Sequence, residues 1–349
     1  MKAVKILGPG EAKVVTDAPK TDNPPSDNVL VKVIAVALNP SDWKSMKRGD
    51  PSTSGLDFSG VVEATGPDTK KGYKKGDRVL GIAHGSNKLE PDNGAFSEYV
   101  MTRENLLIRI PEGKSFEEAA TGGAGLLTVG QGLYQEMKLP WPNAPLKEKE
   151  QILIWGGSSA TGALGIQFAK LSGFEVITTC SPANFDYVKS LGADHVFDSR
   201  SPTAGSEIRA FTHDKLYLAW DCIGEHGAPE GCAEALASKA PEGKQLRYGT
   251  IINASPNIRD DVIKTFSIGY TAAGKEVEIS GKRIPAKPEH YEFMSEWFDL
   301  VGQLYQENKF KMHRVDSRPG GLEGILEGLK DLENGKVSGV KVVYRVAEP

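Results

Sequence analysis

Cysteine is scarce in this chain: Cys180, Cys222 and Cys232 are the only three among 349 residues. They form no CxxC pair and have no nearby histidine set, so a disulfide framework or thiolate metal cluster is not expected, and buried free thiols are. The chain also has no apolar run near the roughly 20 residues that cross a bilayer. No hydrophobic segment precedes the first strand pattern. A soluble, cytoplasmic protein with no membrane partner is expected. Charge of one sign is missing too: 42 basic residues face 46 acidic ones, for a net charge of −4. Mixed charges of that balance argue against nucleic acid or another polyanion as partner. The sequence shows no repeats and no low-complexity tracts. Its length suffices for two domains with real cores.

Residues 151–181 are the most informative stretch. An apolar run from Gln151 to Trp155 meets the small-residue turn Gly156-Gly157-Ser158-Ser159-Ala160-Thr161-Gly162, and apolar residues at helical spacing follow, from Leu164 to Leu171. Gly173 closes the helix and a second strand covers 175–180, which makes a βαβ unit. Small residues at such a turn let the backbone approach a pyrophosphate, whose charge then rests on the N–H groups and dipole of the helix start. The turn is not a full GxGxxG, because Ser159 and Ala160 stand where glycines are common. Its place between strand and helix favours a dinucleotide site over a mere packing turn.

At the end of the second strand an NAD site usually carries Asp or Glu for the ribose 2′-OH. This chain reads Cys180-Ser181-Pro182-Ala183-Asn184. Without a carboxylate to repel a 2′-phosphate, and with Ser181 and Asn184 as donors, NADPH is preferred. The same two residues also suit the cap of a helix starting near Phe185.

Before this unit the pattern is different. A hairpin over 1–15 turns at Gly8-Pro9-Gly10, and half-buried strand patterns follow at 28–39, 57–66, 76–82 and 94–100. Many short strands with Gly-rich turns predict an irregular β-barrel. Beyond Ser181, helices at 185–191, 206–211 and 231–238 alternate with strands at 195–197, 216–222, 245–252 and 265–271. That alternation predicts a doubly wound, parallel Rossmann sheet of about six strands. A polar, Pro-containing insertion then runs to 288, an amphipathic helix covers 290–308, and a closing strand at 341–346 returns to the barrel.

The order of motifs is specific: GDRV at 76–79, GAFSEYV at 94–100, the nucleotide fold, and SGVKVVYRV at 338–346. With it the chain resembles the medium-chain dehydrogenase/reductase superfamily over essentially its full length. NPSDWK at 39–44, GGSSAT at 156–161, TCSPANFD at 179–186 and LGADHVFD at 191–198 look most similar to the fungal trans-acting enoyl reductases that serve polyketide synthases and polyketide–peptide hybrids. The resemblance implies an α/β protein with a GroES-like barrel domain, 1–125 and 290–349, and a Rossmann NADPH-binding domain, 126–289.

The resemblance also frames the metal question. Zinc members of the superfamily carry Cys-His where this chain has Pro40-Ser41, and Gly-His-Glu where it has Leu56-Asp57-Phe58. Catalytic zinc needs three protein ligands, and Asp57 alone does not supply them. The cysteine run of the structural zinc site is absent as well. A zinc-free enzyme is expected, so reduction of an activated carbon–carbon double bond is favoured over alcohol oxidation. His84 reads either as a ligand or acid, or as a structural loop residue.

The implied reaction is hydride transfer from the nicotinamide to the β-carbon of an α,β-unsaturated thioester, followed by protonation of the enolate at the α-carbon. The protein supplies position and an electropositive setting for the enolate oxygen. By resemblance Ser41, Asp42, Trp43 and Lys44 lie beside the cofactor. Lys44 is the candidate for electrostatic help, against the alternative of a solvated lysine after a turn. Other implied cofactor positions are Gly157, Ser158, Ser159, Ala160 and Thr161, then Ser181, Pro182, Ala183 and Asn184, then Ile251, Ile252, Gly339 and Val340. Ser199 stands where relatives carry Tyr in an FDYR motif, which leaves the adenosine contact weakened or transferred to Arg200.

Two segments are implied to face substrate. In the first, Gly123, Ala124, Gly125 and Leu126 lead into Leu127, Thr128, Val129 and Gly130; the second holds Thr271, Ala272, Ala273, Gly274 and Lys275. Their small residues leave room for an acyl chain, or serve close packing. No proton donor is apparent. The expected partner is the acyl carrier domain of a synthase, met by a monomer, with Lys70, Lys71, Lys74 and Lys75 as a basic patch or a solvated loop. A quinone or free-enone reductase, and a non-catalytic NADPH-binding partner protein, are the competing readings.

Overall fold

The computed structural model describes residues 1–252 and 258–349. They divide into two compact units, Met1–Leu127 with Tyr270–Pro349, and Thr128–Gly269. The expected return to the barrel at 290 is thereby corrected to Tyr270. Residues 270–289 join the barrel unit because its side chains hold their backbone: Arg103 Nη1 donates to Ala273 O at 2.8 Å and Asn105 Nδ2 to Ala272 O at 3.1 Å. Lys275 also pairs with Glu90 at 2.8 Å. A polar stretch carries no sequence signal of which unit will receive it.

In the barrel unit the ten-residue strand Asn28–Ala37 is the axis. It pairs antiparallel with Asp57–Thr65, Tyr99–Arg103 and Lys341–Arg345. Having partners on both sides along most of its length, it buries nearly every residue, and its alternating valines suit that setting. Asp57–Thr65 goes on to pair with Arg78–Ile82, and that strand with Leu107–Arg109. Val31, Val33, Phe58, Val62, Phe96 and Tyr344 meet in the core. The closing strand therefore does return to the barrel.

The expected strand at 94–100 begins later, as Tyr99–Arg103. Before it, the amides of Ala95 and Phe96 bond to Gly55 and Ser54, and Gly94 lies so close to Ser54 O that a Cβ would approach to 2.5 Å. That crowding turns the segment away from regular pairing.

The second unit is a six-stranded parallel sheet in the order His195–Asp198, Glu175–Cys180, Gln151–Trp155, Leu218–Asp221, Arg247–Thr250, Ile263–Phe266. This is the strand order of a dinucleotide-binding doubly wound fold, with the first strand central. The last strand ends at Phe266, short of the expected 271, because its partner ends at Thr250 and no ladder remains to extend it. Residues Gly269–Ala273 form a 3-10 turn instead. The cysteines are free and buried; burial pushes the Cys180 thiol up to about 11 and raises those of Cys222 and Cys232 well above the ordinary thiol value, which keeps them protonated and unreactive.

Candidate active site

In the sheet unit the turn after Trp155 is shaped by glycines with no room for a side chain. A Cβ on Gly157 would strike Thr178 Oγ1, and one on Gly162 the carbonyl of Gly156. Gly156 also has φ +81°, a region open to glycine at little cost. The helix Ala160–Leu171 begins there. Ser159 is its N-cap, accepting from Gly162 N at 3.0 Å, so the serine in a glycine-like position has a local role. Ser158, Ser159, Ala160 and Thr161 form a partly exposed run, and first-turn amides of a helix have no intrahelical acceptor. The donors of this helix start suit the charge of a pyrophosphate.

At the end of the second strand, Pro182–Asn184 is a 3-10 turn in which Asn184 is buried and donates from Nδ2 to Ser181 Oγ at 3.1 Å. Asn184 thus orients Ser181, whose hydroxyl hydrogen remains to be donated. Pro182 and Ala183 are exposed. Ser199 is half-buried, with its amide bonded to Cys180 O; the neighbouring Arg200 is exposed and lies 3.7 Å from Asp198. Ile251 and Ile252 follow the strand Arg247–Thr250, partly exposed. Sequence reasoning missed Asp221, which is buried and accepts from the amides of Ile223 and Gly224 at 2.8 and 2.9 Å and from Tyr248 Oη at 2.8 Å. It fixes the loop on which Ile252 packs, since a Cβ on Gly224 would lie 2.9 Å from Ile252.

In the barrel unit the helix Pro40–Arg48 carries Ser41, Asp42, Trp43 and Lys44. Proline at its first position and the Asn39/Asp42 capping box start it, and Gly49 in the left-handed region ends it. Asp42 is turned into the barrel unit. It is fully buried, its Oδ2 accepts Asn39 N at 2.7 Å, and its Oδ1 has no partner. The third helix position points into the core, which the motif alone did not reveal. Burial, with Asp57 adding to it, pushes the Asp42 carboxyl up to about 8 against the opposing bond from Asn39. Trp43 has Lys44 Nζ 5.6 Å and Lys47 Nζ 5.1 Å from its ring, and Lys47 is also paired with Glu333 at 2.5 Å.

Asp57 is the second finding that sequence reasoning missed in kind. Lys341 donates to its Oδ2, as does Asn39 Nδ2 at 3.1 Å, while its Oδ1 accepts Ala124 N at 2.5 Å. Lys341 is 3% exposed and Asp57 not at all, so each charge depends on the other. One carboxylate therefore ties together residues 39, 124 and 341. The only signal was a lysine opening a closing strand whose next residues, Val342 and Val343, are apolar. Both oxygens are engaged, and among the described residues no three His, Cys, Asp or Glu side chains stand close enough to share a metal ion.

Of the first expected substrate segment, only Ala124 and Thr128 are partly exposed, four apart on the helix Gly123–Val129. Gly123, Gly125, Leu126, Leu127, Val129 and Gly130 are buried. Residues Gly130–Glu136 continue as a π-helix, a feature often found at functional sites. In the second segment Thr271 and Ala272 are buried, Thr271 Oγ1 lying 2.7 Å from His290 Nδ1, while Ala273, Gly274 and Lys275 are partly exposed. His84 stacks on Tyr270 at 4.1 Å between ring centroids, and burial holds its imidazole down near 4, neutral at ordinary pH. Gly339 and Val340 are partly exposed ahead of Lys341, with Gly339 O bonded by Arg314 Nε at 2.8 Å. In the lysine run, Lys71 is paired with Asp299 at 2.5 Å and Lys75 with Glu63 at 2.7 Å, so half of the expected patch is neutralised.

The Alcohol dehydrogenase GroES-like domain family matches residues 25–112 and the Zinc-binding dehydrogenase family residues 160–299. The trans-enoyl reductase resD of Aspergillus sclerotiorum is 40% identical, covering 99% of this chain and 100% of its own length. The trans-enoyl reductase ACTTS2 of Alternaria alternata is 42% identical over 91% of each chain. Among solved structures, the CurK enoyl reductase shares the fold with a TM-score of 0.76 at 20% identity, covering 99% of this chain and 98% of that one.

Proposed function

The chain belongs to the trans-enoyl reductases of the medium-chain dehydrogenase/reductase superfamily, oxidoreductases that act on a carbon–carbon double bond with a nicotinamide cofactor, and from that we propose an NADPH-dependent enzyme reducing the α,β-unsaturated thioester of a carrier-bound polyketide intermediate. The observation that carries this reading is the end-to-end match to trans-enoyl reductases at 40% identity. The preference for NADPH rests on the carboxylate-free turn Ser181–Asn184, where Ser181 has a hydroxyl to offer a 2′-phosphate and no Asp or Glu repels one. The enzyme acts without zinc, since Pro40 and Phe58 carry no donor and Asp57 is committed to Lys341. Its partner is the acyl carrier domain of a synthase, and it acts as a cytoplasmic monomer.

When bound, the cofactor supplies the hydride. The residues of this chain hold it and steady what forms on the substrate. Gly157 and the first turn at Ala160 and Thr161 would hold the pyrophosphate, and Ser181 would hold the 2′-phosphate. Lys44, partly exposed on the helix Pro40–Arg48, sets a positive charge for the enolate oxygen.

Steady-state turnover with matched panels of α,β-unsaturated acyl-pantetheine thioesters, simple enones and quinones tests the assignment, each run with NADPH and NADH. Efficient thioester turnover, favouring NADPH by at least about tenfold in kcat/KM, is expected. Quinone turnover alone would overturn it.

A further inference from the structure

The strand Glu175–Cys180 is buried along all but its first residue, and the interior of a parallel sheet favours apolar side chains. Two polar residues nevertheless stand side by side in it, Thr178 and Thr179, both fully shielded from solvent. Successive side chains of a strand point to opposite faces, and the two hydroxyls have different partners. Thr178 Oγ1 donates to Ile154 O at 2.6 Å, within the strand Gln151–Trp155. Thr179 Oγ1 accepts the amide of Gly156 at 3.1 Å, in the turn beyond that strand.

The amides of that turn divide into two sets. Gly156 N goes to Thr179 Oγ1 at 3.1 Å and Gly157 N to Thr179 O at 2.9 Å. Ser159 N bonds to Gly156 O and Gly162 N to Ser159 Oγ, each at 3.0 Å. Among the described residues the amides of Ser158, Ala160 and Thr161 meet no acceptor, and these three residues are partly exposed. Gly156 itself has φ +81°, and a Cβ on it would lie 2.6 Å from Ile223, whose own amide is held by Asp221. Gly156 is therefore fastened at its amide by Thr179 and closed over at its Cα by Ile223.

We propose that Thr179 is a positioning residue of the cofactor site: by holding the Gly156 amide it sets the turn so that the amides of Ser158, Ala160 and Thr161 are the ones offered to the pyrophosphate of a nicotinamide dinucleotide. Gly157 then serves through its missing side chain, since its amide is taken and a Cβ on it would strike Thr178 Oγ1. This rests on the nicotinamide-cofactor part of the reading given above and is independent of the carbon substrate. Without the hydroxyl, the Gly156 N–H is buried with no acceptor, and the turn loses the bond that sets it.

The test is Thr179→Val, which keeps the shape of the side chain and removes its hydroxyl. Thr178→Val is the matched control, and Thr179→Ser is the variant that retains the hydroxyl. Calorimetric titration compares NADPH, NADH and ADP-ribose, which all carry the pyrophosphate, with adenosine 2′-phosphate, which lacks it. We expect Thr179→Val to raise Kd about tenfold for the three pyrophosphate ligands and to leave adenosine 2′-phosphate within about twofold. In turnover, KM for NADPH should rise about tenfold with kcat within about twofold of wild type. Thr178→Val and Thr179→Ser should stay within about threefold for every ligand. Unchanged ADP-ribose affinity in Thr179→Val would overturn the assignment. So would equal losses for ADP-ribose and adenosine 2′-phosphate, or a Thr179→Ser protein that binds as weakly as Thr179→Val. Wild type that binds none of the pyrophosphate ligands would instead overturn the cofactor reading, and the assignment with it.

Discussion

In the sheet unit the turn after the first strand is shaped by backbone; in the barrel unit distant segments are tied by side chains around Asp57. The turn Gly156–Gly162 works because two glycines leave no room for anything else and a helix start offers free amides. All of that lies within one stretch of sequence. In the barrel unit Asp57 meets residues 18, 67 and 284 positions away, at Asn39, Ala124 and Lys341. A nearby chain segment can specify a backbone cradle, whereas a buried charge cluster is specified only by the closed fold.

The contrast predicts different failures. The largest is expected at Lys341. Lys341→Met leaves Asp57 buried without its counter-charge, and unfolding free energy should drop by about 3–5 kcal/mol, read from urea midpoints. Adding Asp57→Leu should recover most of that loss. A single variant that unfolds at the wild-type midpoint would show that the barrel does not depend on the pair.

In the sheet unit, Gly162→Val drives a side chain into the Gly156 carbonyl, and NADPH affinity measured by fluorescence titration should weaken roughly 100-fold, about 2.7 kcal/mol. Thr161→Ala, which alters a partly exposed side chain and leaves the backbone alone, should stay within about threefold. Equal losses in the two variants would break the backbone account of the turn.

A pH profile sharpens the same comparison. The folded-state value of Asp42 is about 8, above the usual 3.8. Between those limits the folded protein keeps a proton that the unfolded chain has released, so stability falls as pH rises through that window. Asp42→Asn, which cannot ionise, should show a shallower fall in melting temperature from pH 5 to about pH 8. Identical profiles would contradict the buried, protonated state of Asp42. The smallest effect belongs to the lysine run. Lys70→Glu with Lys74→Glu should raise KM for a carrier-bound substrate by about two- to fivefold and leave that for a free pantetheine thioester unchanged.

Sequence reasoning reached the strand–turn–helix at 151–171, the alternation that builds the parallel sheet, and the return of the last strand to the barrel, because each is a local periodic pattern or a motif. It did not foresee the burial of Asp42, since a motif gives residue order and leaves hidden which face of a short helix is buried. It assigned 270–289 to the sheet unit, since a polar stretch is held in place by distant partners, Arg103 and Asn105. Lys341 went unselected for the same reason: its partner Asp57 lies far away in sequence.

The most direct test of the account is a single turnover with NADPH deuterated on the transferred position of the nicotinamide, mixed with the enzyme and an α,β-unsaturated acyl-pantetheine thioester. The account predicts loss of the reduced-nicotinamide absorbance and a saturated thioester carrying that deuterium at the β-carbon. Full retention of reduced cofactor with every thioester, while a quinone under the same conditions consumes it, would contradict the account.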